Sequence, residues 1–257
     1  MESPEKAAQR IFGERSQFYT KNTVHKDPEV LKRIVQLAAP KLDSLALDVA
    51  TGSGHTAAAL APHVASVVSV DITRQMLVEA DKLALELVLD NVSLCLANAH
   101  ALPFQEKAFD IVTCRRAAHH FSDIRQALRE MRRVLRSYGR LVIDDRSVPE
   151  NDFVDQCMNE LDRLHDASHV QEYRPSQWRH LLEGCGFAVD MIEPYSKRLP
   201  LTSLTTDVSP KNTGRIRAIV NNLSDDQRRA MNVTEIDGDI YLNHWYVTLS
   251  AHSTVPH

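Results

Sequence analysis

Hydrophobic positions in the first part of the chain follow two spacings, one typical of buried strands and one typical of amphipathic helices. Short apolar runs predict strands that begin at Leu47 and cover 66–71, 92–97, 109–114 and 140–144. Apolar residues three and four apart predict helices from Pro28, behind an Asp27 cap, and over 55–64, 76–87 and 124–135, the last ended by Gly139. Strand and helix alternate five times, which predicts an α/β fold with a parallel sheet.

The pattern becomes less regular beyond Asp145. Helices are predicted over 151–164, after Ser176, and over 213–223 and 224–231, and strands over 187–192 and 241–249. The stretch 194–239 is polar, which is typical of a lid. We therefore predict three segments, which are an N-terminal helical arm over 1–40, a core over 41–193, and a lid-like insertion with the final strand over 194–257.

The first predicted strand ends in a glycine-rich turn, LDVATGSG, and the next apolar run ends in a carboxylate, Asp71. Glycine tolerates a positive φ and lets a ligand lie against bare main chain, where a Cβ would collide. A carboxylate at the tip of the second strand is how an open α/β sheet holds the ribose of a nucleoside. Gly52 and Gly54 therefore mark a binding site, and Asp71 marks the place of the ribose hydroxyls.

The composition points to a small-molecule partner. A chain of 257 residues with 43% hydrophobic and 25% charged positions can bury the core of one large α/β domain. Its formal net charge of -4 argues against nucleic acid and acidic membrane surfaces as partners. No apolar run approaches the roughly 20 residues of a membrane span, and no signal-peptide region begins the sequence. We expect a cytoplasmic protein without a membrane span.

Metal binding and disulfide formation are not expected. The four cysteines show no CxxC spacing, so the sequence indicates reduced thiols. The segment HDASH, from His165 to His169, has the histidine spacing of a zinc-protease helix, but Asp replaces the catalytic glutamate and no third ligand is evident. His169 fits the wall of a substrate pocket better than a metal site.

The glycine turn alone leaves an alternative open. The segment GSGHTA, from Gly52 to Ala57, also fits the dinucleotide fingerprint GxGxxA, which is typical of NAD- or FAD-dependent oxidoreductases. That fold commonly begins its first strand near the chain start, whereas about 45 residues precede the strand here. A binding protein of this fold without group transfer is a further alternative, because fold does not dictate chemistry.

Five segments in order carry a family resemblance. They are LDVATGSGHTA, the strand end at Asp71, ANAHALPF, FDIVTCRRAAHHF and LREMRRVLRSYGRLVIDD. Together, over roughly 19–192, they resemble the class I S-adenosylmethionine-dependent methyltransferases, especially the branch of ubiquinone and menaquinone biosynthesis. The resemblance implies a doubly wound, Rossmann-like sheet of seven strands, mostly parallel, with the last strand antiparallel. It also implies transfer of a methyl group from S-adenosylmethionine to carbon, oxygen or nitrogen of a small molecule.

The resemblance implies a cofactor role for residues after each strand. Asp48 would orient the ammonium group, and Ala50, Thr51, Gly52 and Gly54 would meet the methionine part. Ala50 replaces the commoner first glycine, which is tolerable if its backbone has ordinary β geometry. Asp71 would bind the ribose, and Ile72 and Met76 would contact the two faces of adenine. The carbonyl oxygen of Asn98, together with Ala99, would lie near the adenine amino group, and Cys114 and Arg115 would face the sulfonium side. Tyr19 and His25 would lie in an arm that closes over the site.

Acceptor recognition is predicted from the segments that border the crevice. Arg116 and Arg146 could bind an anionic group of the substrate, and His169 would line its pocket. His119 or His120 could act as a general base, although either one could instead be a structural histidine. Methyl transfer depends mainly on alignment, so a base is needed only for an acceptor that arrives protonated.

Overall fold

The computed structural model describes residues 3–16 and 26–254, which form one sheet with helices on both faces. The strands are β1 (Leu45–Val49), β2 (Ser66–Asp71), β3 (Val92–Leu96), β4 (Phe109–Arg115), β5 (Leu135–Ser147), β6 (Phe187–Pro200), β7 (Thr234–Ile236) and β8 (Asp239–Ser253). The sheet order is β3-β2-β1-β4-β5-β8-β6, and β7 pairs with β8. Neighbours among β1 to β5 are parallel, and β8 runs antiparallel between β5 and β6.

This architecture confirms the predicted fold class, including the antiparallel last strand. The sheet has eight strands among the described residues instead of seven, because the three-residue β7 pairs with the start of β8. The helices are α1 (Pro4–Glu14), α2 (Pro28–Ala38), α3 (His55–Leu60), α4 (Arg74–Glu86), α5 (Ile124–Val134), α6 (Asp152–His165), α7 (Pro175–Gly184), α8 (Pro210–Asn221) and α9 (Asp225–Ala230).

Capping and periodicity explain where the helices form. Oδ1 of Asp27 accepts hydrogen bonds from the amides of Glu29 and Val30, at 3.1 and 3.4 Å, which confirms the predicted N-cap of α2. The buried residues of α5 recur at helical spacing, and the face that they form packs against the sheet, as the sequence predicts. Its members are Ile124, Ala127, Leu128, Met131 and Val134.

Alternate strand residues face opposite layers, because side chains of a strand point to the two faces of the sheet in turn. One face packs against α2 and α3 through Ala46, Val67, Ile111 and Val142. The other packs against α5 and α7 through Leu47, Val112, Leu141, Ile143 and Leu249. Both faces are therefore apolar, which leaves the strand ends as the place for polar chemistry.

Gly139 lies inside β5, so the prediction that it ends a helix is wrong. The strand begins at Leu135, which pairs with Phe109. A Cβ at position 139 would lie 2.9 Å from the carbonyl oxygen of Asp110 and from the side chain of Leu135. Glycine is required here because neighbouring atoms come this close to the main chain.

The C-terminal part continues the sheet before it forms a helical cap. Strands β6 and β8 pair from Phe187 and Ser253 to Pro200 and Tyr241, so both extend beyond the predicted strands. The predicted segment boundary between 193 and 194 therefore falls within β6. Helices α6 and α8 and the first part of β8 share a second apolar cluster, separate from the main core. Across residues 3–16 and 26–254, we find no helix that could cross a membrane.

Candidate functional site

A cavity of about 520 Å³ lies at the carboxyl ends of neighbouring parallel strands. Four adjacent strands, β3, β2, β1 and β4, each supply the residues at or just after their ends. These lining segments are 97–100, 71–73, 50–53 and 115–117. Helix α1 and the segment 200–207 add further walls, and a guanidinium nitrogen of Arg15 donates to the carbonyl oxygen of Asp207 at 2.6 Å.

The turn after β1 is built from residues with positive φ. Ala50, Gly52 and Gly54 have φ angles of +53°, +55° and +84°. The condition that Ala50 has ordinary β geometry is therefore not met, because the chain turns into the left-handed region directly after β1. The amide of Thr51 then donates to the carbonyl oxygen of Val70 at 2.9 Å, which ties the turn to β2.

Asp71 is held by two backbone amides at the end of β2. Its Oδ2 accepts from Gly52 at 2.9 Å, and its Oδ1 accepts from Thr73 at 2.8 Å. Burial raises the pKa of Asp71 to about 6, although both amide bonds act in the opposite direction. Each carboxylate oxygen has two lone pairs, so each can accept another hydrogen bond from a ligand hydroxyl.

Asp48 supports the turn from behind the cavity wall. Its carboxylate accepts from the hydroxyls of Thr51 and Thr113, at 2.6 and 2.7 Å, and burial raises its pKa. Gly54 and Cys114 also lie outside the lining. A Cβ on Gly54 would lie 3.0 Å from the Cβ of Ala80, so this glycine allows close packing against α4.

Asn98 has a fixed amide orientation. Its Oδ1 lies 2.9 Å from the backbone amide nitrogen of His100 and 2.8 Å from Nδ1 of the His100 ring. A backbone N–H only donates, so the atom facing it must be the carbonyl oxygen. The prediction that this oxygen serves an adenine amine therefore needs correction, because the group left for a ligand is the Asn98 amide nitrogen.

Two consecutive arginines leave β4 toward different partners. Nε of Arg115 donates to the hydroxyl of Thr56 at 2.9 Å, beside the glycine turn. Nε of Arg116 donates to Oδ1 of Asp144 at 2.8 Å, and its guanidinium carbon lies 3.8 Å from the centre of the Tyr246 ring. The buried carboxylate of Asp144 thus compensates the charge of Arg116.

Arg146 is also compensated by buried acids. It donates to Asp162 and Glu172 at 2.5 Å each, and lies 2.6 Å from Nδ1 of His244. Burial raises the pKa of Glu172 well above its ordinary value, whereas the charge of Arg146 holds the pKa of buried Asp162 low. Ionised Asp162 therefore neutralises Arg146, and burial opposes the ionisation of Glu172 beside it.

Three histidines meet at the other end of the cavity. The His119 ring lies 4.0 Å from the His120 ring and 5.9 Å from the His169 ring, measured between centroids. His119 is bonded to Asp145 through its backbone amide, at 2.9 Å, and through Nδ1, at 2.5 Å. His119 and His120 are neighbours in the sequence, and the fold brings His169 beside them.

The structure places most predicted site residues around one cavity. The predicted residues on the lining are Ala50, Thr51, Gly52, Asp71, Ile72, Met76, Asn98, Ala99, Arg115, Arg116, His119, His120, Arg146 and His169. Tyr19 and His25 lie outside the described residues, so their roles stay predictions. The sequence predicts an N-terminal helical arm over the site, but its lining residues on α1 were not named. Sequence reasoning also missed Asp162, although an acid on the apolar stripe of a predicted helix is a signal of a buried partner.

Comparisons with known proteins agree with this geometry. A family described as "Methyltransferase domain" matches residues 47–143. The uncharacterized methyltransferase YcgJ of Bacillus subtilis is 37% identical over 185 residues, which are 72% of this chain and 73% of the relative. Its crystal structure superposes with a TM-score of 0.83 at 31% identity, over 88% of this chain and 98% of the other. The demethylmenaquinone methyltransferase of Thermotoga maritima is 38% identical over 120 residues, 46% of this chain and 50% of the relative.

Proposed function

Because the chain belongs to the class I S-adenosylmethionine-dependent methyltransferases, we propose that its cavity holds this cofactor along the strand ends and a small-molecule acceptor beside it. The family assignment replaces the oxidoreductase alternative. When bound, S-adenosylmethionine supplies a methyl group on a positively charged sulfur, which is activated for displacement. The remaining task of the protein is to hold both reactants in line and to exclude water.

The order of neighbouring strands supports one orientation of the cofactor. Asp71, at the end of β2, would accept the ribose hydroxyls. The adenine ring would then lie over the end of β3, between Ile72 and Met76, and the methionine part over the turn after β1. The sulfonium would face β4, because β4 is the next strand in the sheet.

The observation that carries this proposal is the buried carboxylate of Asp71, which lines the cavity and is bonded to the turn at Gly52. A Cβ added to Gly52 would meet no atom within 4 Å, so the bare main chain borders open space. Ribose hydroxyls and an amino acid tail fit this combination of acceptor and uncovered backbone.

Arg115 would hold the carboxylate of the methionine part. Its bond to Thr56 keeps the guanidinium at the start of α3, directly after the glycine turn. A guanidinium suits this task because its planar donors match a carboxylate. Arg115 therefore serves the cofactor, whereas its neighbour Arg116 is bonded to Asp144.

The size of the cavity supports a small acceptor. About 520 Å³ lies within the range of roughly 300–1,000 Å³ that is typical of sites for small ligands. Walls from α1 and from 200–207 limit access from two sides. A compact acceptor fits such a site better than a polymer does.

Calorimetric titration with S-adenosylhomocysteine tests the proposed cofactor site. We expect Asp71→Asn to weaken binding by about 10- to 100-fold, as for the loss of charge-assisted hydrogen bonds. Asp90→Asn is the matched control, because Asp90 is exposed and precedes β3 at the opposite end of the sheet. Equal affinity of the wild type and Asp71→Asn would refute the assigned site.

A further inference from the structure

We infer that the acceptor is an uncharged compound with an acidic hydroxyl group, a phenol or an enol, and that Nε2 of His119 takes its proton. This inference rests on the proposed function and adds the class of the acceptor. Four observations carry it: the fixed ring of His119, the neutral histidines beside it, the compensated arginines, and the aromatic walls.

The ring of His119 is fixed by a single carboxylate. Asp145 binds both the backbone amide and Nδ1 of His119, and its own side chain is fully buried. Burial alone would raise the pKa of Asp145, but the adjacent His119 ring holds it below its ordinary value. An ionised Asp145 keeps the proton on Nδ1, so Nε2 carries the lone pair of a base. Because His119 lines the cavity, Nε2 is the ring nitrogen within reach of an acceptor.

The two histidines next to His119 supply no positive charge at neutral pH. Burial lowers the pKa of His120 to about 4. Burial lowers the pKa of His169 to about 3. Nδ1 of His120 lies 3.2 Å from the carbonyl oxygen of Ser168, and Nε2 of His169 lies 3.1 Å from Oδ1 of Asn159. These contacts fit neutral imidazoles that act as a polar wall.

The arginines at this end are matched by acids. Arg116 is paired with Asp144, and Arg146 is paired with Asp162. A carboxylate or phosphate on the acceptor would have to compete with these buried partners. The expectation of an anionic acceptor therefore loses its support, and an uncharged acceptor fits the balance of charge.

Aromatic side chains also line this end. Phe12, Phe121 and Tyr246 line the cavity, and the Phe12 ring meets the His120 ring edge to face at 5.0 Å. Such walls favour a flat, unsaturated acceptor. A hydroxyl on such a compound is acidic enough for an imidazole to remove its proton, but it is a poor nucleophile while protonated.

The step balances without another reactant. The hydroxyl proton moves to Nε2 of His119, and Asp145 stabilises the resulting imidazolium. The acceptor oxygen forms a bond to the methyl carbon as the bond from that carbon to sulfur breaks. The electron pair of the broken bond stays on sulfur, which becomes the neutral thioether of S-adenosylhomocysteine. The imidazolium then returns its proton to water.

Binding of three matched probes tests the class of the acceptor. The probes are 4-methylphenol, 4-methylbenzoate and 4-methylbenzylamine, titrated into the protein saturated with S-adenosylhomocysteine. We expect the phenol to bind at least about tenfold more tightly than either charged probe, because a buried charge without a partner is costly. Tighter binding of the benzoate or the amine, or no measurable binding of the phenol, would overturn the inference. Because the protein is already saturated with S-adenosylhomocysteine, weak binding of a probe cannot result from a failure of the cofactor site.

Ionisation of bound 4-nitrophenol tests the base, through the absorption of its phenolate. The pH at which the probe ionises also depends on the charged and titratable groups around it, which are Asp145, Asp162, Asp166, Arg146, His120 and His169. We therefore compare variants: the probe should ionise at a pH about one unit lower in the wild type than in His119→Asn. His252→Asn is the control, because His252 also bonds an aspartate, Asp190, but lies outside the cavity lining. Equal ionisation in the wild type and His119→Asn would exclude His119 as the base.

Discussion

The amide of Gly52 donates a 2.9 Å hydrogen bond to Oδ2 of Asp71, which joins the turn after β1 to the end of β2. The bond holds the carboxylate beside the bare main chain. Under the proposed function, one hydrogen bond thus sets the distance between the part of the site that holds the ribose and the part that holds the amino acid tail. Changes to either residue should therefore alter cofactor binding, but for different reasons.

Affinity for S-adenosylhomocysteine should depend on pH through Asp71. Burial raises the pKa of Asp71 to about 6, from 3.8 for an ordinary aspartate. The ionised carboxylate is the better acceptor of ribose hydroxyls, so affinity should fall as the pH drops through about 6 and level off above it. Calorimetry between about pH 5 and pH 8 measures this dependence.

Asp71→Asn provides the comparison for this pH dependence. The amide does not titrate, so the variant should bind weakly and with a flatter pH profile. If the variant and the wild type lose affinity in parallel on acidification, another group is responsible and the role of Asp71 is wrong.

Two glycines of one turn should respond differently to alanine. Gly54→Ala places a Cβ 3.0 Å from the Cβ of Ala80, at a φ of +84°, so it should destabilise the fold. Gly52→Ala places its Cβ in open space at a φ of +55°. It should cost only about 1–2 kcal/mol of folding free energy but should weaken S-adenosylhomocysteine binding.

Urea unfolding and calorimetry on both glycine variants separate these effects. The expected result is a larger loss of unfolding free energy for Gly54→Ala, and a larger loss of affinity per folded molecule for Gly52→Ala. The opposite pattern would mean that the cofactor does not lie against Gly52.

Local sequence signals predicted the sheet, the turn and Asp71 because each depends on neighbouring residues. Apolar runs select strands, and glycines followed by an acid select a nucleoside site. The backbone conformation of Ala50 and the place of Gly139 have no such local signal. Alanine carries no local signal of its φ of +53°, and the role of Gly139 depends on Asp110, which lies on the adjacent strand.

The partners of the site residues could not be predicted, since they come from distant segments. Arg116 and Arg146 were expected to bind an anion because the sequence does not reveal the carboxylates that neutralise them. Asp144 lies on β5, the strand beside β4, and Arg116 directly follows β4. Asp162 lies on α6, where the sequence shows only an acid among apolar residues. Charge balance at a buried site is a tertiary property.

Asn98→Asp should tighten binding of S-adenosylhomocysteine. Oδ1 of Asn98 is bonded to His100, so the wild type offers an N–H toward the proposed adenine site. An aspartate would instead offer an oxygen to the amino group of adenine. We expect an affinity gain of about tenfold, as for one hydrogen bond to a charged group.

The 6-oxo analogue S-inosylhomocysteine gives the reciprocal test, because its purine oxygen accepts where adenine donates. It should bind the wild type better than Asn98→Asp. Asn222→Asp, at an exposed position after α8, is the charge-matched control. If the wild type and Asn98→Asp prefer adenine over the 6-oxo purine to the same extent, the purine does not lie beside residue 98.

Asp162 and Glu172 should substitute for each other as partners of Arg146. In Glu172→Gln, ionised Asp162 still neutralises the arginine. In Asp162→Asn, the Glu172 carboxyl, whose ionisation burial opposes in the wild type, is bonded to Arg146 and can supply the negative charge instead. Each single variant should therefore lose no more than about 1–2 kcal/mol of unfolding free energy.

The double variant leaves the buried Arg146 without an acid. It should lose about 3–5 kcal/mol more than the sum of the single variants, because an unpaired charge then remains in the core. Urea denaturation of the four proteins at neutral pH measures this coupling. Additive losses would mean that Asp162 and Glu172 act independently, and that Glu172 does not replace Asp162 as the charge partner of Arg146.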